Sequence, residues 1–415
     1  MGLRNFLSSL NDLLGPEEAQ KSMSKLHFSS HVFDFALHPS AQIAAAGLIT
    51  GDIECYKFGQ KENQQQWSVK PTKKSCRGVE FSESGNHLYS ISRDRSIHTL
   101  DVESGKLVHK HSAAHESPIN KILRLNENLI ATGDDLGIIK IWDNRSHGLI
   151  HDYHEHTDFI ADMTFSTDKN TLIAVAGDGL LSIWDIRKPK LKAISDCMDD
   201  ELLSVVTVKN EKKVITGSQA GVLNLWTWGE WQDSSDRILG HPSSIDTICK
   251  LDEDTICTGS SDGIIRVVSI LPNKFEGVIG AHGEDFPIER IRLSYDNTWL
   301  ASCAHDNSVR FWDIKFLFNN VDEDEDENGD QSGEEAVSSE EDHDEVKSEA
   351  GFSQSYKSDS GSEEDNYQFS DRDDSDEAER APRRKRRMLQ NANDNFFDGL
   401  ETSPSKAGRK IKKKK

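Results

Sequence analysis

The 415-residue chain has no stretch of 18 apolar residues, which excludes an ordinary membrane-spanning helix. The first ten residues, MGLRNFLSSL, lack the apolar core of a cleavable leader, and Phe6 stands where a myristoylation signal needs Ser or Thr. There are six cysteines, Cys55, Cys76, Cys197, Cys249, Cys257 and Cys303, and no two have CxxC spacing. Most sit in apolar, strand-like runs, so buried reduced thiols of an intracellular protein are expected, not zinc ligands or disulfides. His147, His151, His154 and His156 form one metal-like grouping, but no Cys or carboxylate spacing supports zinc there. No P-loop occurs either. The chain is therefore expected to be no enzyme, with no catalytic residue, cofactor, metal or small-molecule substrate. Hydrophobic content is only 35%, which fits a folded body with an unfolded appendage.

Charge is unevenly spread. The whole chain carries −23, of which residues 321–380 hold −21 and residues 381–415 hold +9, leaving −11 for the remaining 320 residues. A mildly acidic body argues against general nucleic-acid binding by that body.

What is present is a repeat. The stretch GDDLGIIKIWDNR, residues 133–145, reads as a strand, a tight turn at Asp134, Asp135 and Gly137, and a β-branched, aromatic strand ending at Trp142. Alone, such a hairpin is marginal in water. Copies align on a turn residue five positions before a large one, at Gly51, Arg95, Gly137, Gly179, Gly221, Gly263 and Asn307. Successive anchors lie 44, 42, 42, 42, 42 and 44 residues apart. That period, with Trp142-Asp143, Trp184-Asp185 and Trp312-Asp313, marks WD-repeat blades of four strands. An all-β, seven-bladed propeller over residues 21–320 is expected.

The last repeat stops after its third strand and runs into NNVDEDED, which cannot pair in a sheet. Residues 24–28 form a spare strand at the other end. We expect this segment to complete the seventh blade and close the ring, removing two exposed edges. Residues 1–20 form a separate leader. Phe6, Leu7, Leu10, Leu13 and Leu14 give it one apolar face of a short helix, either a frayed cap or a partner-docking element.

Within blades, a His before the first strand, a hydroxyl on the second, an Asp in the turn and the Trp resemble the WD-repeat structural tetrad. The seventh repeat has His282, Ser302, Asp306 and Trp312. The sixth has His241, Thr258 and Asp262, with Val268 in place of Trp. The fourth has His156, Asp178 and Trp184, with Ala174 at the hydroxyl position, and the fifth has Ala220 instead of the Asp. These are expected to be buried polar networks that fix packing, not catalytic pairs. Trp142-Asp143-Asn144-Arg145 and Trp184-Asp185-Ile186-Arg187 both read W-D-x-R. That resembles the box by which some WD-repeat proteins dock on the adaptor of cullin-4 ubiquitin ligases, with Arg145 or Arg187 at the contact.

The tail is different material. Residues 321–380 are acidic and Ser-rich, too poor in apolar residues to offset ordering entropy. Ser332, Ser338, Ser339, Ser360, Ser362 and Ser370 each lie three residues before an acid, which suits an acid-directed kinase of the casein kinase 2 type. Residues 381–415 are basic and also expected to be disordered. Arg383, Arg384, Lys385, Arg386 and Arg387, then Lys410, Lys412, Lys413, Lys414 and Lys415, form runs suited to nuclear import or RNA phosphates. Between them, Phe396, Phe397 and Leu400 in FFDGL form an apolar trio suited to ordering on a partner.

The chain resembles the WD repeat-containing protein 55 family of eukaryotic nucleolar propellers. RGVEFSESGNHLYSISRDRSIHTLDVESG, ATGDDLGIIKIWDNR, HTDFIADM, CTGSSDGIIRVVSILPN and ASCAHDNSVRFWDIK carry the resemblance over residues 30–320, and FFDGL adds to it. ILPN in place of Trp-Asp in the sixth blade departs from the generic repeat and favours this family over other propellers. The resemblance implies a non-catalytic protein of the nucleus and nucleolus; the acidic tract beside basic runs, a composition common in proteins that shuttle, adds the cytoplasm as an expectation. It implies support of ribosomal RNA processing and large-subunit production through pre-ribosomal proteins. The other reading is a substrate receptor of a cullin-4 ligase.

Overall fold

All seven anchor residues leave the right-handed backbone region. Gly51, Gly137, Gly179, Gly221 and Gly263 have φ between +75° and +85°, and Arg95 and Asn307 have φ of +68° and +57°. Gly is the least strained residue there, and Asn tolerates it. At Gly263 a Cβ would lie 2.0 Å from the Gly283 carbonyl, so the turn is also wedged beneath the next connection. The repeat visible in the sequence is thus a repeat of left-handed turns, each reversing the chain between the second and third strands of a blade.

The computed structural model describes residues 25–59, 63–283 and 286–318. They form 28 strands in seven four-stranded antiparallel sheets. After β1 (Leu26–His27), the first blade is β2 (Val32–Leu37), β3 (Ile43–Leu48), β4 (Ile53–Lys57) and β5 (Gln64–Val69). The second is β6 (Cys76–Phe81), β7 (His87–Ser92), β8 (Ile97–Asp101) and β9 (Leu107–His111). The third is β10 (Ile119–Arg124), β11 (Leu129–Asp134), β12 (Ile139–Asp143) and β13 (Gly148–Tyr153). The fourth is β14 (Ile160–Ser166), β15 (Thr171–Ala176), β16 (Leu181–Asp185) and β17 (Leu191–Ile194). The fifth is β18 (Leu202–Val208), β19 (Lys213–Ser218), β20 (Leu223–Thr227) and β21 (Asp236–Ile238). The sixth is β22 (Ile245–Lys250), β23 (Thr255–Ser260), β24 (Ile264–Ser269) and β25 (Lys274–Ala281). The seventh is β26 (Ile288–Leu293), β27 (Trp299–Ala304) and β28 (Ser308–Asp313), with β1 as its outer strand.

The expected closure is present. Leu26 pairs with Val309 and His27 with Ser308, antiparallel. Phe28 then donates its backbone N–H to Asn307 O at 3.0 Å, and Lys25 reaches Asp306 at 3.3 Å. Leu26 and Phe28 are buried with Val309, Phe311 and the first blade's Val32, Phe35 and Leu48. The core is a set of such layers between neighbouring blades, each joining residues from two sheets, as one hairpin module requires of the next.

Every inner strand carries a β-bulge at the same place. Register breaks between Val32 and Asp34, Cys76 and Gly78, Ile119 and Lys121, Ile160 and Asp162, Leu202 and Ser204, Ile245 and Thr247, and Ile288 and Arg290. A bulge inserts one residue and re-aims its neighbours. Here it gives each blade an extra side chain where strands begin, and a following residue that faces the next blade.

Four of the six cysteines are buried, and all six are free. Cys249 is half-buried, and Cys197 lies exposed in the connection leaving the fourth blade, outside the apolar runs that hold the others. Residues 1–20, 321–380 and 381–415, with the phosphorylation, import and FFDGL assignments made on the last two, lie outside the described residues.

Candidate functional site

The residues just past the bulges do the joining. Asp34 accepts the Val79 backbone N–H at 3.0 Å, Asp162 accepts that of Val205 at 3.2 Å, and Thr247 accepts that of Ile291 at 3.3 Å. Each contact runs from one blade to the next. Four of these positions are charged, and they converge. Lys121 Nζ lies 2.6 Å from Asp162 Oδ1, Arg290 Nε lies 3.1 Å from Asp34 Oδ1, and Arg290 Nη1 lies 3.8 Å from Asp162 Oδ1. Burial, helped by Arg290, lowers the Lys121 ammonium to about 8 despite Asp162. Burial alone would raise the Asp162 carboxyl, but Lys121 and Arg290 hold it below its usual value. Two cations and two anions from the first, third, fourth and seventh blades neutralise one another. The group is fully used in holding blades together, since buried charges persist only when paired.

The tetrads form a second, peripheral set. In the seventh blade His282 contacts Asp306 at 3.2 Å and Ser302 Oγ at 2.7 Å, and Trp312 Nε1 donates to the same Oγ at 2.8 Å. In the fourth, His156 meets Asp178 at 3.1 Å, but the hydroxyl is not missing. Ser182 supplies it, at 2.7 Å from His156 Nε2 and 2.9 Å from Trp184 Nε1. Ser182 is the cross-strand partner of Ala174, so the oxygen has moved one strand outward without leaving its place in space. The sixth blade corrects the sequence reading in the other direction. His241 reaches Thr258 at 2.8 Å, but Asp262 is taken by Arg266, whose two Nη atoms lie 3.1 and 2.6 Å from its oxygens. Among the described residues, His241 Nδ1 is buried with no hydrogen-bond partner. A bidentate guanidinium pair outcompetes a neutral imidazole for one carboxylate.

One complete tetrad escaped the sequence reading. His115, Thr132, Asp134 and Trp142 are joined at 3.0, 2.7 and 2.8 Å in the third blade. The signal was an Asp eight positions before the Trp, where the other blades have it six before. Burial lowers the imidazoles of His115, His282 and His241, the last to about 4, so these rings are neutral packing elements.

The two W-D-x-R arginines turn back on their own motif. Arg145 spans both oxygens of Asp143 at 3.1 and 2.9 Å, and Arg187 spans both of Asp185 at 2.8 Å. Both guanidiniums are exposed, at 68% and 64%. Both lie at the turn between the third and outer strands, in adjacent blades, with the same geometry. Nearby, Leu107 and Val108 on β9 and Leu149 and Ile150 on β13 are exposed, and His109 stacks on His147 at 3.7 Å.

The His147–His156 grouping is dispersed by the fold. His147 stacks on His109, His151 on Tyr153, His154 pairs with Asp152 at 2.8 Å, and His156 belongs to its tetrad. Among the described residues, three ligand-type side chains meet elsewhere. His31, Glu289 and His305 have donor atoms within 4.8 Å of one another, where the chain passes from the seventh blade to the first. Spaced 258 and 16 residues apart, they left no pattern in the sequence.

The family model WDR55 matches residues 23–317. The chain belongs to the WDR55 family. It is 40% identical over 284 residues to WD repeat-containing protein 55 of Homo sapiens, covering 68% of this chain and 74% of that protein. It is 40% identical over 293 residues to WD repeat-containing protein 55 of Arabidopsis thaliana, covering 70% and 82%. WD repeat-containing protein JIP5 of Cryptococcus neoformans var. neoformans serotype D is 41% identical over 305 residues, covering 70% and 81%.

This WDR55-family chain contains one string with the letters of a nucleophile elbow, GSSDG at residues 259–263. That motif needs a strand followed by a helix. Here it is the β23–β24 hairpin, and Ser261 Oγ donates to Asp246 Oδ2 at 2.6 Å, with no imidazole as partner among the described residues. The string is a blade turn.

Proposed function

We propose that this WDR55-family chain is a non-enzymatic scaffold of the nucleolus that supports ribosomal RNA processing and large-subunit production. The reading rests on its family and on one physical observation. Four charged residues of the inner strands, Asp34, Arg290, Asp162 and Lys121, are consumed in joining blades to one another. What remains for function is surface. Blade faces and edges hold pre-ribosomal proteins, and the basic runs at residues 383–387 and 410–415 touch RNA phosphates and direct nuclear entry. Depletion followed by rescue tests the reading. Large-subunit precursor RNA of the 27S type accumulates on depletion and clears when the full chain is restored. A precursor pool unchanged by depletion contradicts it.

A second reading, a substrate receptor of a cullin-4 ligase, has one observation in its favour. The guanidiniums of Arg145 and Arg187 are exposed and held in one orientation by their own aspartates, which lowers the ordering cost of a charged contact. Arg187→Ala is expected to leave the melting temperature unchanged. Loss of adaptor co-purification in that variant supports the receptor reading, and unchanged co-purification from both Arg145→Ala and Arg187→Ala removes it.

A further inference from the structure

The ring closes through a short passage. After β1 ends the seventh blade at His27, residues 28–31 cross to the first blade, and His31 is the last residue before β2. Its carbonyl accepts the Ile49 N–H at 3.0 Å, which fixes the passage against the first blade. Beside it stand two side chains of the seventh blade. His305 is in the turn between β27 and β28, and Glu289 is the extra residue of the bulge between Ile288 and Arg290.

The three side chains are already gathered. His305 Nε2 lies 2.5 Å from Glu289 Oε1, and the His31 and His305 rings meet edge to face with centroids 4.5 Å apart. All three are half-buried. The bulge of the sixth blade brings a fourth group toward the same place. Asp246, one blade back at Glu289's equivalent position, is half-buried and accepts hydrogen bonds from Ser261 and Ser244. Two imidazoles and one carboxylate thus meet at the seam, with the Asp246 carboxylate close enough to act on His305 through its charge. Imidazole nitrogen and carboxylate oxygen together are the donor set of a divalent zinc-type ion.

We propose that His31, Glu289 and His305 bind one Zn²⁺ ion, with the fourth position open, and that the ion pins the first blade to the seventh across the closure seam. Ligand atoms 2.0–2.1 Å from zinc lie roughly 3.3 Å apart in a tetrahedron. The His305 and Glu289 ligand atoms now lie 2.5 Å apart and all three lie within 4.8 Å of one another, so side-chain adjustment alone builds the site on the existing backbone. Binding displaces the Glu289–His305 hydrogen bond and places a cation beside two carboxylates. The same seam depends on a strand of only two residues, Leu26–His27. A metal bridge would therefore strengthen the ring where its sheet pairing is shortest.

The test uses the full untagged chain, stripped with EDTA and exchanged into metal-free buffer. Zn²⁺ is titrated in competition with a chromogenic chelator, and Co²⁺ is added separately to read the visible bands of a tetrahedral site. The proposal expects one tight equivalent, tetrahedral Co²⁺ absorption, and a rise in melting temperature with Zn²⁺. His305→Gln and His31→Gln, which keep polar side chains, each weaken binding at least tenfold, and both together abolish the melting-temperature rise. His109→Gln with His147→Gln leaves all three readouts intact, which separates this site from the stacked pair on the outer rim. Glu289→Gln covers the case in which a His variant fails to fold. No stoichiometric binding overturns the proposal, as does binding unchanged in the His31→Gln/His305→Gln protein or confined to weak sites of the acidic tract.

Discussion

Arg290 donates from Nε to Asp34 Oδ1 at 3.1 Å, joining the last blade to the first across 256 residues of sequence. The guanidinium is 13% exposed and the carboxylate 5%. Burial opposes the charge on Arg290, yet Asp34 and Asp162 win and raise its basicity further. Closure therefore has two parts, the outer pairing of β1 with β28 and this inner ion pair, at opposite edges of the same blade.

Arg290→Met is expected to destabilise the protein by about 3–5 kcal/mol, because it removes the ion-pair partner of Asp34 and leaves Lys121 as the one cation for both carboxylates. Urea unfolding measures this. Replacing Asp34 as well recovers part of the loss, since an unpaired buried charge costs more than an apolar substitute for the pair.

Removing residues 1–30 deletes β1 and exposes the edge of β28. The ring is expected to lose its cooperative thermal transition or to melt well below the full chain. An undiminished melting temperature in that truncation would show that the seventh blade stands without its fourth strand.

Ser182→Ala is expected to cost about 1–3 kcal/mol, because it strands the buried His156 and the Trp184 N–H together. Adding Ala174→Ser to that variant restores an oxygen from the facing strand and recovers much of the loss. Thermal melts of the three variants decide it.

The order of legibility follows the range of the forces. Turns and strands were readable because the left-handed anchor and the Trp or its substitute lie five residues apart, within one hairpin. The spare strand at residues 24–28 was readable by counting strands. Ser182 was not, because a hydroxyl can reach the same point from either of two paired strands, and sequence position does not reveal which. Asp262 was misread because Arg266, four residues on, competes for it. The Asp34–Arg290–Asp162–Lys121 group and the His31–Glu289–His305 set were illegible for one reason: their members are far apart in the chain and meet only because the blades close into a ring. Residues that sequence spacing had grouped, His147 to His156, were separated by the alternation of a strand.

Acid should weaken the fold in a defined window. Burial holds the His98 and His241 imidazoles at about 4, against about 6.5 in the unfolded chain. Their folded values are depressed, so below pH 6.5 the unfolded state binds protons that the native state refuses. Each ring is expected to remove about 1.4 kcal/mol of stability per pH unit between pH 6.5 and 4. Asp246, raised to about 6 chiefly by burial, works in the opposite direction below pH 6. His241→Gln should therefore flatten the fall in urea-unfolding stability from pH 6.5 to 4.5, and an unchanged slope would place that proton elsewhere.

The functional account turns on what touches the ring in the cell. Crosslinking the full chain in nuclear extract, then identifying bound proteins and RNA by mass spectrometry and sequencing, measures this directly. The account predicts large-subunit assembly factors linked to the propeller and precursor ribosomal RNA linked to residues 381–415. Recovery of the cullin-4 adaptor and its substrates, with no pre-ribosomal protein or RNA, would contradict it.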